Sequence, residues 1–256
     1  MDLGLDEQQE MLRNFARDFL EKECPEQLVR QMEEDEKGYS PDLWRKMAEQ
    51  GWMGLIIPEQ YGGAGMRITD LAVLLEEFGR FLVPGPFIPT VVLGAYPIML
   101  AGSEEQKQRF LPRVAAGELI MTMALTEPSA KWDADGVQME ARQEGNEWVL
   151  NGTKLFVQDA HVTDYMVVAA RTGKGASPEE GITLFLVDSR SPGIKFELLR
   201  TIASDKQCEV TFENVRVPGE NVLGEVGKGW PVVHRTKLLA AVAACSYLVG
   251  LAQQDF

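Results

Sequence analysis

The sequence is short of the residues that most often build reactive or metal-binding centres. It has two histidines, His161 and His234, and three cysteines, Cys24, Cys208 and Cys245, in 256 residues. Cysteines odd in number and this far apart exclude a disulfide framework and the paired spacing of a structural zinc site. Cations are scarce as well: 25 Lys and Arg stand against 39 Asp and Glu, a formal net charge of -14. Nucleic-acid and anionic-membrane binding both rest on clustered cations, so neither partner is expected. No GxGxxG follows a strand, which argues against a Rossmann-type dinucleotide site. The opening MDLGLDEQQE lacks the basic and apolar regions of a signal peptide. The longest apolar run, Leu238 to Cys245 with its continuation to Ala252, is shorter than a bilayer crossing needs. The expectation is a cytoplasmic protein that does not enter a membrane.

What is present is an ordinary globular balance, 45% hydrophobic and 25% charged, in a chain long enough for one or two domains. The first half reads as helix. Asp6 can cap a helix whose stripe is Met11, Leu12, Phe15, Ala16, Phe19 and Leu20, and Pro25 stops it. Ser40-Pro41 is a start signal for a helix over 42–50 that ends at Gly51. Thr69 is expected to cap a helix carrying Leu71, Leu74, Leu75 and Phe78. Ser103 with Gln106 forms a capping box for a helix over 104–111. The prolines between Val83 and Pro89 predict an irregular stretch.

Near Gly117 the pattern changes to alternation. Residues 137–141 and 147–150 flank a turn at Glu144-Gly145-Asn146, and Asn151-Gly152 reads as a second hairpin turn. Residues 153–157, 165–170, 182–187 and 208–212 are further strand candidates, rich in β-branched and aromatic side chains. From Trp230 the chain returns to helix, apolar almost all round over 238–252, as a helix buried in a larger body is. It carries no end signal before Phe256 and reads as interrupted in mid-helix. The fold class expected is α+β. An N-terminal helical domain covers 1–117, a middle antiparallel β-barrel-like domain 118–229, and the start of a C-terminal helical bundle 230–256.

Four short motifs are specific when taken together and in order. They are Ile57-Pro58-Glu59-Gln60-Tyr61-Gly62-Gly63, then Met123-Ala124-Leu125-Thr126-Glu127-Pro128 with Asp133, then Asn151-Gly152-Thr153-Lys154-Leu155-Phe156-Val157. The fourth is Phe212-Glu213-Asn214-Val215-Arg216-Val217-Pro218 with Gly227-Lys228-Gly229. On these the chain resembles the acyl-CoA dehydrogenases. The resemblance implies FAD bound without a Rossmann motif and an acyl-CoA thioester as substrate. Electron-transfer flavoprotein is the implied electron acceptor, and a homo-oligomer, tetrameric in the family, the implied assembly.

The implied reaction removes an α-proton and passes the β-hydrogen as hydride to flavin N5. A thioester α-proton is a very weak acid. Its removal needs a positioned carboxylate, a polarised carbonyl and exclusion of water. By its place in the motif Thr126 donates to the flavin ring, with Met123 and Leu125 along the same edge; read without the resemblance, Thr126 ends a strand before Pro128. Phe156 stands where the family often carries Trp, and Gln158 where it carries Thr or Ser. Trp132 replaces a small hydroxyl residue on the substrate side, within Ser129-Ala130-Lys131-Trp132 where the family has a glycine-rich run. Glu127 is structural by the same comparison. Lys206, His234, Arg235 and Lys237 either face a CoA phosphate or sit on a solvated face. His161 packs or hydrogen-bonds in a loop, and Cys208 fills core. The family's base is a glutamate of the C-terminal bundle, so no catalytic residue is assigned, and this stretch alone is expected to be inactive. Two alternatives stay open: a non-catalytic subunit paired with a full dehydrogenase, and a flavin monooxygenase on the same fold.

Overall fold

The computed structural model describes residues 4–255. Its helical part begins with α1 (Glu7–Glu23) at the expected cap. The Asp6 carboxylate accepts the Gln9 N–H while the Gln9 side chain accepts the Asp6 N–H. Satisfying two free N–H groups at once fixes the helix start. Phe15 and Phe19 from this helix meet the Trp52 ring edge-on. After Pro25 comes α2 (Glu26–Glu34), and Ser40 starts α3 (Pro41–Glu49) as read. The next helix, α4 (Ile68–Arg80), departs from expectation, because Thr69 lies inside its first turn. The end is fixed instead by Asp70, which accepts the Arg67 N–H and pairs with the Arg67 guanidinium. Its stripe of Leu71, Leu74, Leu75 and Phe78 is buried as expected.

The proline-rich stretch is irregular only to Pro86, then winds through a π-helical segment, Pro89–Ala95, into α5 (Tyr96–Ala101). α6 (Glu104–Ala115) has the capping box of Ser103 and Gln106 and runs past the expected end, through Pro112. Gln106 also donates to the carbonyls of Glu220 and Val222, which pins the helix to the β part.

The β part is one eight-stranded sheet. Its strands are β1 (Met121–Ala124), β2 (Glu140–Glu144), β3 (Glu147–Gln158), β4 (Tyr165–Arg171), β5 (Ile182–Asp188), β6 (Ile194–Leu199), β7 (Gln207–Pro218) and β8 (Val222–Leu223). The order is β6-β7-β3-β2-β4-β5-β8, with β1 beside β4. The barrel-like expectation needs correcting in two ways. The sheet is not closed, and β4 pairs in parallel with β1 and, at one residue pair, with β2. The Asn151-Gly152 expectation also fails. β3 runs straight through it, with a register shift between Leu150 and Gly152 and Gly152 at φ 149. A Cβ at Gly152 would meet the Met139 side chain, so this glycine serves a bulge and a close approach, not a turn. The true hairpin turn is the one at Gly145, between β2 and β3.

α7 (Trp230–Asp255) closes the molecule. It crosses α4 where both helices carry glycine: a Cβ on Gly79 would land on the Tyr247 carbonyl, and one on Gly250 on the Glu76 carbonyl. The all-round burial expected for this helix is not found. Leu238, Val242, Leu248 and Val249 are exposed. The apolar run is also longer than the sequence reading had it, since Trp230–Gln254 is by length and composition apolar enough to cross a membrane. Among the described residues its contacts are those of a packing helix, on α4, on α5 and on the π-helical segment.

Candidate functional site

A cleft of about 1030 Å³ lies where the β sheet, α2, α4, the proline-rich stretch and α7 meet. Its lining includes all six residues singled out from the sequence: Met123, Leu125, Thr126, Trp132, Phe156 and Gln158. The cleft is built from β1 outward. β1 pairs with β4 from Met121↔Tyr165 to Ala124↔Val168, and the chain then leaves the sheet. The departing segment is held from below. The Thr126 carbonyl accepts the Leu155 N–H at 2.8 Å, and the Lys154 ammonium donates to the Leu125 carbonyl at 3.1 Å. Both main-chain carbonyls therefore turn into the protein. The Thr126 hydroxyl and N–H have no hydrogen-bond partner among the described residues, and Thr126 lines the cleft half-buried.

Lys154 is itself fully buried and pairs with Glu127 at 2.7 Å. Glu127 in turn accepts the N–H groups of Gln138 and Met139 at 3.0–3.1 Å. Burial pushes the Lys154 ammonium down to about 8, against the pull of Glu127. A carboxylate with two N–H donors and an ammonium has its acceptor sites filled, and its work is to hold the 125–127 segment. Lys154 shares the inward register of Trp148 and Leu150 on β3, and a lysine at a core-facing strand position is the signal that could have identified this pair from sequence.

The end of β3 shapes the wall opposite. Between Lys154 and Val157 the pairing with β7 shifts register, and Phe156 takes φ 55. A bulky residue in the left-handed region is strained. The conformation throws the Phe156 ring off the ladder, where it stands 51% exposed. Gln158 is also exposed, and Trp132 is 73% exposed at the cleft mouth. Neither Phe156 nor Trp132 stacks on another ring among the described residues. Lys237 of α7 donates to the Trp132 carbonyl, which ties the mouth loop to the helix. The far wall is apolar, from Phe78, Leu82, Phe87, Ala241, Ala244 and Leu248. Unpartnered donors beside exposed rings and an apolar wall suit a flat, polar-edged ring.

The chain matches the family models "Acyl-CoA dehydrogenase, N-terminal domain" over residues 6–118 and "Acyl-CoA dehydrogenase, middle domain" over 122–215. It is 32% identical over 265 residues to the short-chain-specific acyl-CoA dehydrogenase of Clostridium acetobutylicum, covering 100% of this chain and 68% of that protein. The chain belongs to the acyl-CoA dehydrogenase family. A second relative, the caffeyl-CoA reductase-Etf complex subunit CarC of Acetobacterium woodii, is 34% identical over 253 residues, 96% of this chain and 66% of its own length. Among solved structures, the butyryl-CoA dehydrogenase of Megasphaera elsdenii superposes with a TM-score of 0.87 at 30% identity, covering 99% of this chain and 67% of that one. The chain thus spans about two thirds of the length of the curated relatives it matches. Acyl-CoA dehydrogenases generally bind FAD.

The other candidates separate clearly. His234 and Arg235 are exposed and do not line the cleft. Lys206 and Lys237 do line it, but each ammonium is committed to a main-chain carbonyl, of Glu33 and Trp132 respectively. His161 bonds to the Glu36 carbonyl at 2.9 Å, and Cys208 is buried with its thiol pushed up to about 11 by desolvation. Sequence reasoning passed over Asp159, a buried carboxyl in the cleft lining, because Asp beside a predicted strand end looks like ordinary turn chemistry.

Proposed function

We propose that the protein catalyses FAD-dependent α,β-dehydrogenation of an acyl-CoA thioester. The observation that carries this reading is the unpartnered Thr126 hydroxyl and N–H at the mouth of a strand, facing the same cleft as Met123, Leu125, Phe156 and Gln158. These residues fit FAD. Two free donors suit the polar edge of its ring, and the exposed Phe156 face gives it a surface to stack on. FAD, when bound, supplies the acceptor for the β-hydride. The chain's own part is to orient and to exclude water. Lys154 and Glu127 fix the donor edge, α7 and the proline-rich stretch provide a dry apolar wall for an acyl chain, and Trp132 limits the entrance.

The base that takes the α-proton is proposed to lie outside these residues, in the third of the relatives' length that the chain does not span. Electron-transfer flavoprotein is the proposed acceptor, supported by the Etf complex in which the Acetobacterium relative is named. A cytoplasmic homo-oligomer completes the reading. Lys131 and Trp132, in place of small residues at the mouth, favour one second reading, a subunit that shapes a site shared with a full dehydrogenase. FAD content decides between them. The purified full-length protein is expected to carry about one FAD per chain, read from the absorbance of flavin released on denaturation. A protein that carries none and acquires none on incubation with FAD contradicts the first reading.

A further inference from the structure

The cleft that is to hold an anionic cofactor has an unbalanced lining. Its charged members are three carboxylates, Glu33, Asp159 and Asp205, against two lysines, Lys206 and Lys237. Each ammonium donates one hydrogen bond to a backbone carbonyl and keeps its charge. Glu33 and Asp205 are exposed and water screens them, whereas Asp159 is only 9% exposed. Asp159 is also fixed in place. It follows β3 at φ 51, and its N–H donates to the Lys206 carbonyl at 2.8 Å. Its carboxyl accepts no hydrogen bond from any described residue, and its oxygens keep some contact with the solvent of the cleft. Phe156 and Gln158, the two β3 residues of the ring wall, immediately precede it.

We infer that Asp159 is a binding determinant of this cleft, one that takes up a proton from solvent when the anionic cofactor enters; the inference rests on the FAD reading above. With Asp159 protonated, the two lysines balance the two exposed carboxylates. With it ionised, the cleft sets against the anionic cofactor a charge that water screens less than it does those of Glu33 and Asp205. Burial is the main reason the Asp159 carboxyl is pushed up to about 7, with Asp205 adding to the rise and Lys206 opposing it. The other titratable neighbours do not offset it. His161, half-buried, is pushed toward its neutral form by desolvation, and the Cys208 thiol stays protonated. The sign follows from linkage. An anion raises the pKa of a nearby carboxyl further, so affinity is highest below about pH 7 and falls as pH rises through it.

The test is calorimetric titration of FAD into full-length apoprotein from about pH 5.5 to about pH 8.5, in buffers of different ionisation enthalpy. Wild type is expected to absorb a fraction of a proton on binding. Its affinity should fall roughly tenfold across the range, which corresponds to a one-unit rise in the carboxyl's pKa on binding. Asp159→Asn should bind without proton uptake and with a flat profile. Asp205→Asn leaves the buried site untouched and should move the wild-type profile to lower pH, which keeps the test open if the first variant does not fold. Equal uptake in wild type and Asp159→Asn, or a profile that Asp205→Asn does not move, overturns the inference alone. Absence of FAD binding at every pH overturns the functional reading and this inference with it.

Discussion

At the scale of the single residue, the account turns on donors left free and rings left bare. The Thr126 hydroxyl and N–H have no partner among the described residues, while its carbonyl and that of Leu125 are taken by Leu155 and Lys154. A hydrogen bond to a charged partner is worth roughly 1.5–3 kcal/mol. Thr126→Val in the complete enzyme should therefore slow flavin reduction by about tenfold or more, seen in stopped-flow traces at 450 nm or thereabouts. An unchanged rate and flavin spectrum would make Thr126 a strand end only. Trp132 poses the complementary case, a large ring 73% exposed at the mouth, its carbonyl tied to Lys237. Trp132→Ser should change the ratio of kcat/KM between a short straight-chain and a bulky acyl-CoA. About 1–3 kcal/mol accompanies each methylene of pocket space. A constant ratio would assign Trp132 to packing.

At the scale of the element, the buried pair of Lys154 and Glu127 couples β3 to the 125–127 segment. Glu127→Gln strands a buried ammonium. The expected loss is about 3–5 kcal/mol of unfolding free energy, measured by urea denaturation. A loss under about 1 kcal/mol would show that Lys154 escapes to water or sheds its proton at little cost. The helix crossing gives a sterner prediction. A Cβ on Gly250 would occupy the place of the Glu76 carbonyl. Gly250→Ala should push α7 off α4, lower stability by about 1–3 kcal/mol and weaken cofactor binding, since Ala241, Ala244 and Leu248 of α7 line the cleft. Weakened stability with intact FAD affinity would show that the cleft tolerates the shift.

The same elements show what a sequence makes legible. Asp6, Ser40 and Ser103 announce helix starts because their side chains cap free N–H groups within three residues. Thr69 misled because Asp70, one residue on, competes for the same role with a charge and an Arg67 partner. Asn151-Gly152 misled because a positive φ serves a bulge as well as a turn, and only the partner strand β7 decides which. The six residues singled out from the sequence come from motif resemblance, and the structure gathers them around one cleft. Lys154 and Asp159 were not legible, because burial of a charge depends on strands distant in sequence. The exposed flank of α7 could not be foreseen either, since an apolar helix carries no mark of which neighbours cover it.

At the scale of the whole molecule, helices, sheet and α7 form a cleft with a fixed donor edge, an exposed Phe156 ring and an apolar wall, on the fold of the acyl-CoA dehydrogenases. That combination is an argument about chemistry, because a thioester loses its α-proton and β-hydride only where both are aligned and water is kept out. The most direct measurement is anaerobic titration of the full-length holoprotein with a panel of saturated acyl-CoAs, followed by flavin absorbance. The account predicts that at least one acyl-CoA bleaches the flavin without oxygen and yields the matching enoyl-CoA. A flavin that stays oxidised with every acyl-CoA under anaerobic conditions would contradict it.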